Sequence, residues 1–387
     1  MKIAIFTDDF LPKIDGVATA NFELAKGLAD RGHSIIIICP KYNENNDFFY
    51  KNIKVVRIRG IPAFFYPDYI ITSIFHKKIY SIIKKEKVDI IHVQTPLTLG
   101  LEGSIIAKLL HKPLVKTFHG MLAHPEYLKY VKMNNKFGEF FAWKLMKLFY
   151  ENCDLLSCPS DSTKEELLKR KFKTKIKAIS NGIDFSVFDN SKWKKVKNTY
   201  NKNGPIIFFL GRIAHEKNIL FLFQSLKKVF QKVPSAKLLV VGDGPFMEKV
   251  KFQTKKDNIE KNVIFLGKIP HHELVKSGIF KACDFFVNPS VTETFGLTTL
   301  EAMVNGLPCV GVYASGTKDL IKDGYDGYLV NNGDNDLFSK NMIKLLEDKK
   351  LLKTMSKNAI KEAKKHSINK IIDVWEKEYL ELISKSD

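Results

Sequence analysis

Glu293 and Glu301 lie eight positions apart in the stretch Glu293-Thr-Phe-Gly-Leu-Thr-Thr-Leu-Glu301. The first carboxylate closes a loop after the apolar run Asp284-Phe-Phe-Val-Asn-Pro289, and the second falls about one turn into a helix expected to start near Leu297. Gly296 at a fresh helix N-terminus leaves backbone N–H groups pointing outward, which favours an anion there. A carboxylate on either side can hold sugar hydroxyls. This suits a ligand with phosphate in the middle and a sugar at each end, as in a nucleotide sugar. Two glutamates at this spacing are, by themselves, also what a surface loop followed by a helix surface would carry.

A second segment supplies the cations. In Gly211-Arg212-Ile-Ala-His-Glu-Lys217-Asn218, Arg212 and Lys217 flank the start of another expected helix. Together with helix N–H groups, a guanidinium and an ammonium can neutralise a diphosphate. Three further loops follow apolar strands. Thr7 to Gly16-Val17 ends in a glycine that lets backbone approach a phosphate or sugar closely. Lys116-Thr-Phe-His119-Gly120 puts His119 at a strand end, where a structural histidine and one facing a ligand are both plausible readings. Val241-Gly-Asp-Gly-Pro245 makes a tight turn whose glycines are accounted for by turn chemistry alone.

Some chemistries are disfavoured. No loop carries G-x-G-x-x-G, and the second strand ends in Cys39-Pro40 where a dinucleotide binder places an acid for the ribose, which argues against NAD. The Asp-x-Asp at Asp334-Asn-Asp336 adjoins Gly333 and reads as turn chemistry, so neither a metal nor any other cofactor is expected. The five cysteines are odd in number and scattered, which fits a reducing compartment and neither a disulfide framework nor a zinc site.

These loops need a scaffold, and the pattern provides one. Short apolar strands are expected at 2–6, 34–39, 53–58, 89–93, 114–118, 155–158 and 176–179, with helical patterns between them. The alternation restarts at 205–210 and continues through strands at 236–241, 262–266, 284–288 and 307–311; helices are expected at 217–231, 245–256, 271–280 and 297–305, and from about 335 onward. Such alternation implies parallel sheets covered by helices on both faces. The fold class expected is α/β, two Rossmann-like doubly wound domains facing a central cleft, with ligand outside the carboxyl ends of the strands. The divisions read as 1–190, a polar linker 191–204, a second domain 205–365, and a final helix 366–387 packing back on the first domain.

The chain has 387 residues, 45% hydrophobic, with a formal net charge of +20 spread over both halves. That charge suits solubility or an anionic membrane surface. Nucleic acid is not expected as a partner, since no zinc-finger spacing, RNP-like motif or basic zipper is present. The sequence opens on a strand rather than a signal peptide, and its apolar runs are strand-length, which predicts a cytoplasmic protein.

Taken in order, the loop ending at Gly16-Val17, Thr-Phe-His119-Gly, Ser180-Asn-Gly-Ile-Asp184, Gly-Arg212…Glu-Lys217-Asn, Val-Gly-Asp-Gly-Pro and Glu-x7-Glu resemble the motif set of retaining family-4 glycosyltransferases of the GT-B fold. The resemblance implies donor-diphosphate contacts from Arg212 and Lys217, helped by Gly16. It implies that Glu293 holds donor-sugar hydroxyls, that Glu301 holds the nucleotide ribose, and that the amides of Phe295, Gly296 and Leu297 hold sugar and diphosphate. His119 would lie near the transferred sugar, making His119, Arg212, Lys217 and Glu293 the catalytic group. Cations on the leaving diphosphate would be the main source of catalysis.

The acceptor is read from the first half. Ile91-His-Val-Gln-Thr-Pro-Leu-Thr-Leu-Gly100 and Thr117 to Tyr130 resemble the diacylglycerol glucosyltransferase branch, although Gly120-Met121 depart from its usual continuation. The branch implies UDP-glucose as donor and a lipid acceptor; the rival acceptor is a soluble or polyprenyl-linked glycan. Ile61 to Phe75 is unusually apolar and aromatic. In Lys136 to Phe149, a 100° projection places Phe137, Phe141, Leu145 and Leu148 on an expected core stripe. Lys136, Phe140, Trp143, Lys144 and Lys147 then form the other arc, either a solvated face or one that meets an anionic lipid surface peripherally on the inner face of the cell membrane.

Overall fold

β-branched and aromatic runs such as Ile35-Ile-Ile-Ile38 and Ile206-Ile-Phe-Phe209 form the central strands, buried on both faces as parallel strands require. The computed structural model describes all residues except 14, 43–47, 64–65, 121–122, 124–127, 130–132 and 387, and leaves out the side chains of 66–69 and 315. The expected acceptor stretch 117–130 and the aromatic run 61–75 therefore lie in part outside the described residues.

Two units are present, one made of Met1–Gly182 with Ile368–Asp387 and the other of Ile183–Ser367. The first runs β1 (Lys2–Phe6), α1 (Gly16–Asp30), β2 (Ser34–Pro40), β3 (Ile53–Ile58), β4 (Gly60–Ala63), β5 (Tyr66–Thr72), α2 (Lys77–Lys85), β6 (Ile90–Val93), α3 (Thr98–Leu109), β7 (Leu114–Thr117), α4 (Lys136–Tyr150), β8 (Leu155–Cys158), α5 (Asp161–Lys169) and β9 (Ile176–Ala178). The second runs α6 (Trp193–Asn201), β10 (Ile206–Leu210), α7 (Ile219–Lys232), β11 (Lys237–Val241), α8 (Met247–Lys256), β12 (Val263–Gly267), α9 (His271–Leu274), α10 (Ile279–Ala282), β13 (Phe285–Asn288), α11 (Leu297–Val304), β14 (Cys309–Val312), α12 (Ser315–Leu320), β15 (Gly327–Val330), α13 (Asn335–Glu347) and α14 (Lys349–Ala363). The chain then returns to the first unit as α15 (Ile368–Ser384).

Each unit is a doubly wound parallel sheet. The strand order is β3-β2-β1-β6-β7-β8-β9 in the first and β12-β11-β10-β13-β14-β15 in the second. In each the chain winds outward from a central strand and then crosses to its other side. The order therefore reverses between β1 and β6, and again between β10 and β13. Loops leaving adjacent strands in opposite directions open a crevice at the carboxyl ends, where doubly wound sheets bind ligands.

The helix α15 is anchored by Ile371, Ile372, Trp375, Tyr379 and Leu382, which share a core with Leu24, Leu28 and Ile35. Its acidic face pairs with Arg31, His33 and Lys177 through Glu376 and Glu378.

Several expectations need correcting. Residues 191–204, read as a linker, carry α6, and Val196 and Tyr200 pack into the core of the second unit while Lys197 pairs with Asp284 at 3.0 Å. Five lysines in that segment masked its apolar face. The single helix expected at 271–280 is two short ones, broken where Gly278 adopts φ +77°. The antiparallel pair β4–β5, strand β15 and helix α12 were not anticipated.

The largest correction concerns α4. Its expected core stripe is the exposed one, with Phe137 76%, Phe141 44%, Leu145 51% and Leu148 69% accessible. Trp143, assigned to the outer arc, is 8% exposed. It stacks parallel to Phe118 at 6.3 Å, meets Phe172 edge-on and lies under the Arg170 guanidinium. The helix has two apolar arcs, and periodicity alone cannot say which one faces the sheet. The bulky Trp143, Met146 and Tyr150 fill the gap over β7 and β8.

Candidate active site

In the second unit the site grows from β10 and β13, the pair at which strand order reverses. After β10, residues His215–Lys217 form a short 3-10 turn. Asn218 then adopts a left-handed conformation (φ 53°) and starts α7, with no side chain capping the helix and no acid in its first turn. Asparagine tolerates this conformation better than most residues. Arg212 and Lys217 are half-buried on this loop. The loop rests on the turn after β11: Ile213 N–H donates to Asp243 O at 2.9 Å and Phe246 N–H to Ile213 O at 3.0 Å. Gly242 is required by this contact, because a Cβ there would lie 1.9 Å from Gly211 O. Close approach of backbones, beyond turn formation, thus explains the glycine.

After β13, Asn288 Nδ2 donates to Thr299 Oγ1 at 2.9 Å, tying the loop to the helix that follows. Gly296 starts α11 at φ +94°, a conformation that favours glycine and leaves no side chain to cap the helix. The N-termini of α7 and α11 are therefore both uncapped by side chains at the same crevice. Lys217 Nζ donates to Glu293 Oε1 in a close ion pair between the two loops. Glu293 O also accepts from Gly316 N–H at 2.8 Å. Phe295 is buried with its ring edge-on to His366, and Leu297 is half-buried at the helix start.

Glu301, 5% exposed, lies at 2.7 Å from His271 Nε2. Sequence reasoning missed His271. Its only signal was a Pro-His step at a helix start, which is common. Asp334 caps α13 by accepting from Leu337 N–H at 2.9 Å, and Asp336 pairs with Lys228. Among the described residues no group of three or more His, Cys, Asp or Glu side chains is placed to hold a metal ion.

The first unit carries its own site residues. His119 follows β7 and lines a recess with Gln94, Thr117, Asn181 and Trp375. Desolvation pushes its pKa down to about 4 against the pull of the Asp15 carboxylate, so the ring is neutral at pH 7. Gln94, which was not singled out from the sequence, contacts His119 Nε2 at 2.6 Å. Gly16 is exposed as the first residue of α1, but that N-terminus is already capped, with Asp15 accepting from Ala18 N–H at 2.8 Å. On α4, Lys136, Phe140 and Lys144 are exposed, Trp143 is in the core, and Lys147 donates to Lys171 O at 2.6 Å.

Comparison with known proteins settles the family. Residues 14–187 match the family model described as Glycosyltransferase Family 4, and residues 190–362 match Glycosyl transferases group 1. The alpha-monoglucosyldiacylglycerol synthase of Streptococcus pneumoniae is 31% identical over 344 residues, 87% of this chain and 76% of the relative. The chain is a family-4 glycosyltransferase of the GT-B fold.

Within that family the glycosyltransferase resembles the diacylglycerol glucosyltransferase branch. The Acholeplasma laidlawii alpha-monoglucosyldiacylglycerol synthase is 28% identical over 100% of this chain and 98% of its own length. A third relative, the UDP-Gal:alpha-D-GlcNAc-diphosphoundecaprenol alpha-1,3-galactosyltransferase of Escherichia coli, is 30% identical over 92% of this chain and 91% of its own. Among solved structures, sucrose-phosphate synthase from Thermosynechococcus elongatus has the same fold, with TM-score 0.80 at 19% identity over 99% of both chains.

Proposed function

We propose that this glycosyltransferase moves glucose from UDP-glucose to a membrane lipid acceptor such as 1,2-diacylglycerol, with retention of anomeric configuration and without a metal. The observation that carries the donor site is the Lys217–Glu293 ion pair across the β10/β13 reversal, beside two uncapped helix N-termini, with Arg212 half-buried on the same loop as Lys217. In this reading Arg212 and Lys217 bind the diphosphate, and the amides of Phe295, Gly296 and Leu297 share it. Glu293 takes donor-sugar hydroxyls and Glu301 takes the ribose, with Gly16 backbone assisting at the phosphate. As the anomeric bond breaks, charge gathers on the diphosphate, and preorganised cations stabilise it where it forms. This role otherwise falls to a divalent ion. No second carboxylate is assigned as a nucleophile; a front-face route, with the leaving phosphate helping to deprotonate the acceptor, fits these residues. His119 sits by the transferred sugar as a neutral hydrogen-bonding group.

The lipid acceptor is supported by the names of the two diacylglycerol relatives and by α4. Phe137, Phe140, Phe141, Leu145 and Leu148 form one exposed apolar arc, with Lys136 at one edge and Lys144 within it. An apolar arc interspersed with lysines suits the headgroup region of an anionic bilayer. Among the described residues no helix is long and apolar enough to cross a membrane, so the association proposed is peripheral, on the inner face of the cell membrane. The polyprenyl-linked acceptor of the E. coli relative is the second reading.

The test offers labelled UDP-glucose or GDP-mannose to diacylglycerol liposomes in EDTA, with and without anionic lipid. Glycolipid formed in EDTA and boosted by anionic lipid is the expected result. A Phe137→Ser/Phe140→Ser/Leu148→Ser variant should lose the boost while still hydrolysing donor. Donor hydrolysis with no lipid product would move the acceptor to a polyprenyl-linked or soluble glycan, and a requirement for added metal would overturn metal independence.

A further inference from the structure

Behind His119, the first unit holds a chain of buried polar side chains that the proposed chemistry does not use. His119 Nε2 lies 2.6 Å from Gln94 Oε1, and the other end of that amide, Gln94 Nε2, lies 3.3 Å from His92 Nδ1. His92 is fully buried. Its Nδ1 is 2.6 Å from the Tyr379 hydroxyl on α15, and its Nε2 is 2.6 Å from Thr117 Oγ1, which is in turn 2.6 Å from Ser157 Oγ.

The contacts on either side of Gln94 allow two proton arrangements. A neutral imidazole has one donor and one acceptor nitrogen, and an amide has a donor end and an acceptor end. Burial keeps His92 neutral, with its pKa pushed down to about 3. Gln94 therefore couples the two rings: both carry the proton on Nε2 or, with the amide turned over, both carry it on Nδ1. In the second case His92 Nδ1–H would point at the Tyr379 oxygen, and the phenol proton would need another acceptor. Tyr379 is fully buried, and among the described residues its hydroxyl makes one hydrogen bond, to His92. Stranding that proton is strongly disfavoured. Tyr379 O–H thus donates to the single lone pair of His92 Nδ1, which Gln94 Nε2–H shares more weakly from 3.3 Å, while His92 Nε2–H donates to Thr117 Oγ1 and His119 Nε2–H donates to Gln94 Oε1.

We propose that Gln94, His92 and Tyr379 are positioning residues that hold the His119 ring in its Nε2–H tautomer, with Nδ1 as its acceptor nitrogen. An acceptor nitrogen takes a hydrogen bond from an alcohol, as a sugar or glycerol hydroxyl offers, and repels a phosphate oxygen. The helix α15, distant in sequence, thereby sets the donor–acceptor polarity of a residue after β7. The consequence for turnover rests on the transferase reading above; the tautomer is a property of the protein without substrate.

Long-range proton–nitrogen spectra of unliganded protein with 15N-labelled histidine read the tautomers directly. His92 and His119 should both show the Nε2–H pattern. Tyr379→Phe removes the proton that selects the arrangement, and Gln94→Met cuts the coupling; each should turn His119 into a mixture of tautomers. In transfer assays each should lower kcat by about tenfold to a hundredfold, with the KM for donor unchanged within about twofold. An Nδ1–H pattern on either ring of the wild-type protein would overturn the proposal, as would an unchanged His119 pattern in the variants or wild-type kcat in both. Because the wild-type spectrum needs no variant, a folding failure leaves the test intact. A wild-type protein with the predicted pattern but no transfer would support the relay and remove the transferase assignment instead.

Discussion

The two units reverse their strand order in the same way and fill the reversal differently. In the first unit, the loops after β1 and β6 are joined by Asp8 and Thr95, which exchange two hydrogen bonds: Asp8 N–H donates to Thr95 Oγ1 at 2.8 Å and the Thr95 hydroxyl to Asp8 Oδ2 at 2.6 Å. Asp8 is 1% exposed and Thr95 5%. In the second unit, the loops after β10 and β13 are joined by Lys217 and Glu293, whose side chains keep 24% and 14% of their surface. A buried tie with both partners satisfied holds two loops together and has nothing left for a ligand. A partly exposed ion pair can exchange partners, the ammonium moving to a phosphate and the carboxylate to sugar hydroxyls. One topology thus supplies both a fastener and a proposed donor site, and burial of the bridging pair distinguishes them.

The largest expected effect breaks the second bridge. Lys217→Ala or Glu293→Ala should lower kcat for transfer by on the order of a hundredfold to a thousandfold. Because the pair is part-exposed, either change should shift unfolding free energy by less than about 1 kcal/mol. Wild-type turnover in either variant would remove these residues from the site. The first bridge should behave in reverse. Thr95→Val keeps the shape but leaves Asp8 N–H and its carboxylate short of a partner, so stability should fall by about 2–3 kcal/mol in urea unfolding. Donor affinity, read by titration with UDP-glucose, should stay within about twofold, since the Thr95 hydroxyl is buried and already engaged with Asp8. A weakened donor site with intact stability would mean that the first reversal also binds ligand, and the contrast would fail.

What could be read from the sequence follows the same division. Strands were legible because runs such as Ile35-Ile-Ile-Ile38 have little alternative to a buried parallel sheet. Lys217 and Glu293 stood out because charge at a strand end beside a glycine has a local meaning, and the structure brings the two into contact although they are far apart in sequence. Contacts that depend on tertiary partners were not legible. Gln94 and His271 matter through His119 and Glu301, which no spacing rule connects to them. The buried face of α4 was inverted because Trp143 is chosen by Phe118 and Phe172, and both arcs of the helix carry aromatics. The helix α6 was hidden because its few apolar residues sit among lysines, whose stems can line an apolar surface.

The smallest effect sharpens the comparison by titration. Burial raises Asp8 to a pKa of about 6, against the hydrogen bond from Thr95, the Leu99 amide, Lys13 and Thr98, which all act to lower it. The unfolded chain would lose this proton near pH 4. Between those values the unfolded state releases a proton that the folded state retains, so Asp8 favours the fold fully below about pH 4, and this contribution is lost as pH rises through about 6. The share lost between pH 5 and pH 7 is about 1 kcal/mol. Asp8→Asn has no such proton. Its stability relative to wild type should therefore improve by that amount from pH 5 to pH 7, whatever fixed offset the lost hydrogen bond imposes. Using the difference between the two proteins cancels carboxylates elsewhere, leaving Asp9, whose own raised pKa includes the Asp8 charge and moves in the same direction. A difference that stays flat with pH would mean that Asp8 is ionised in the fold at pH 5, and that water or a cation reaches the first reversal as it reaches the second.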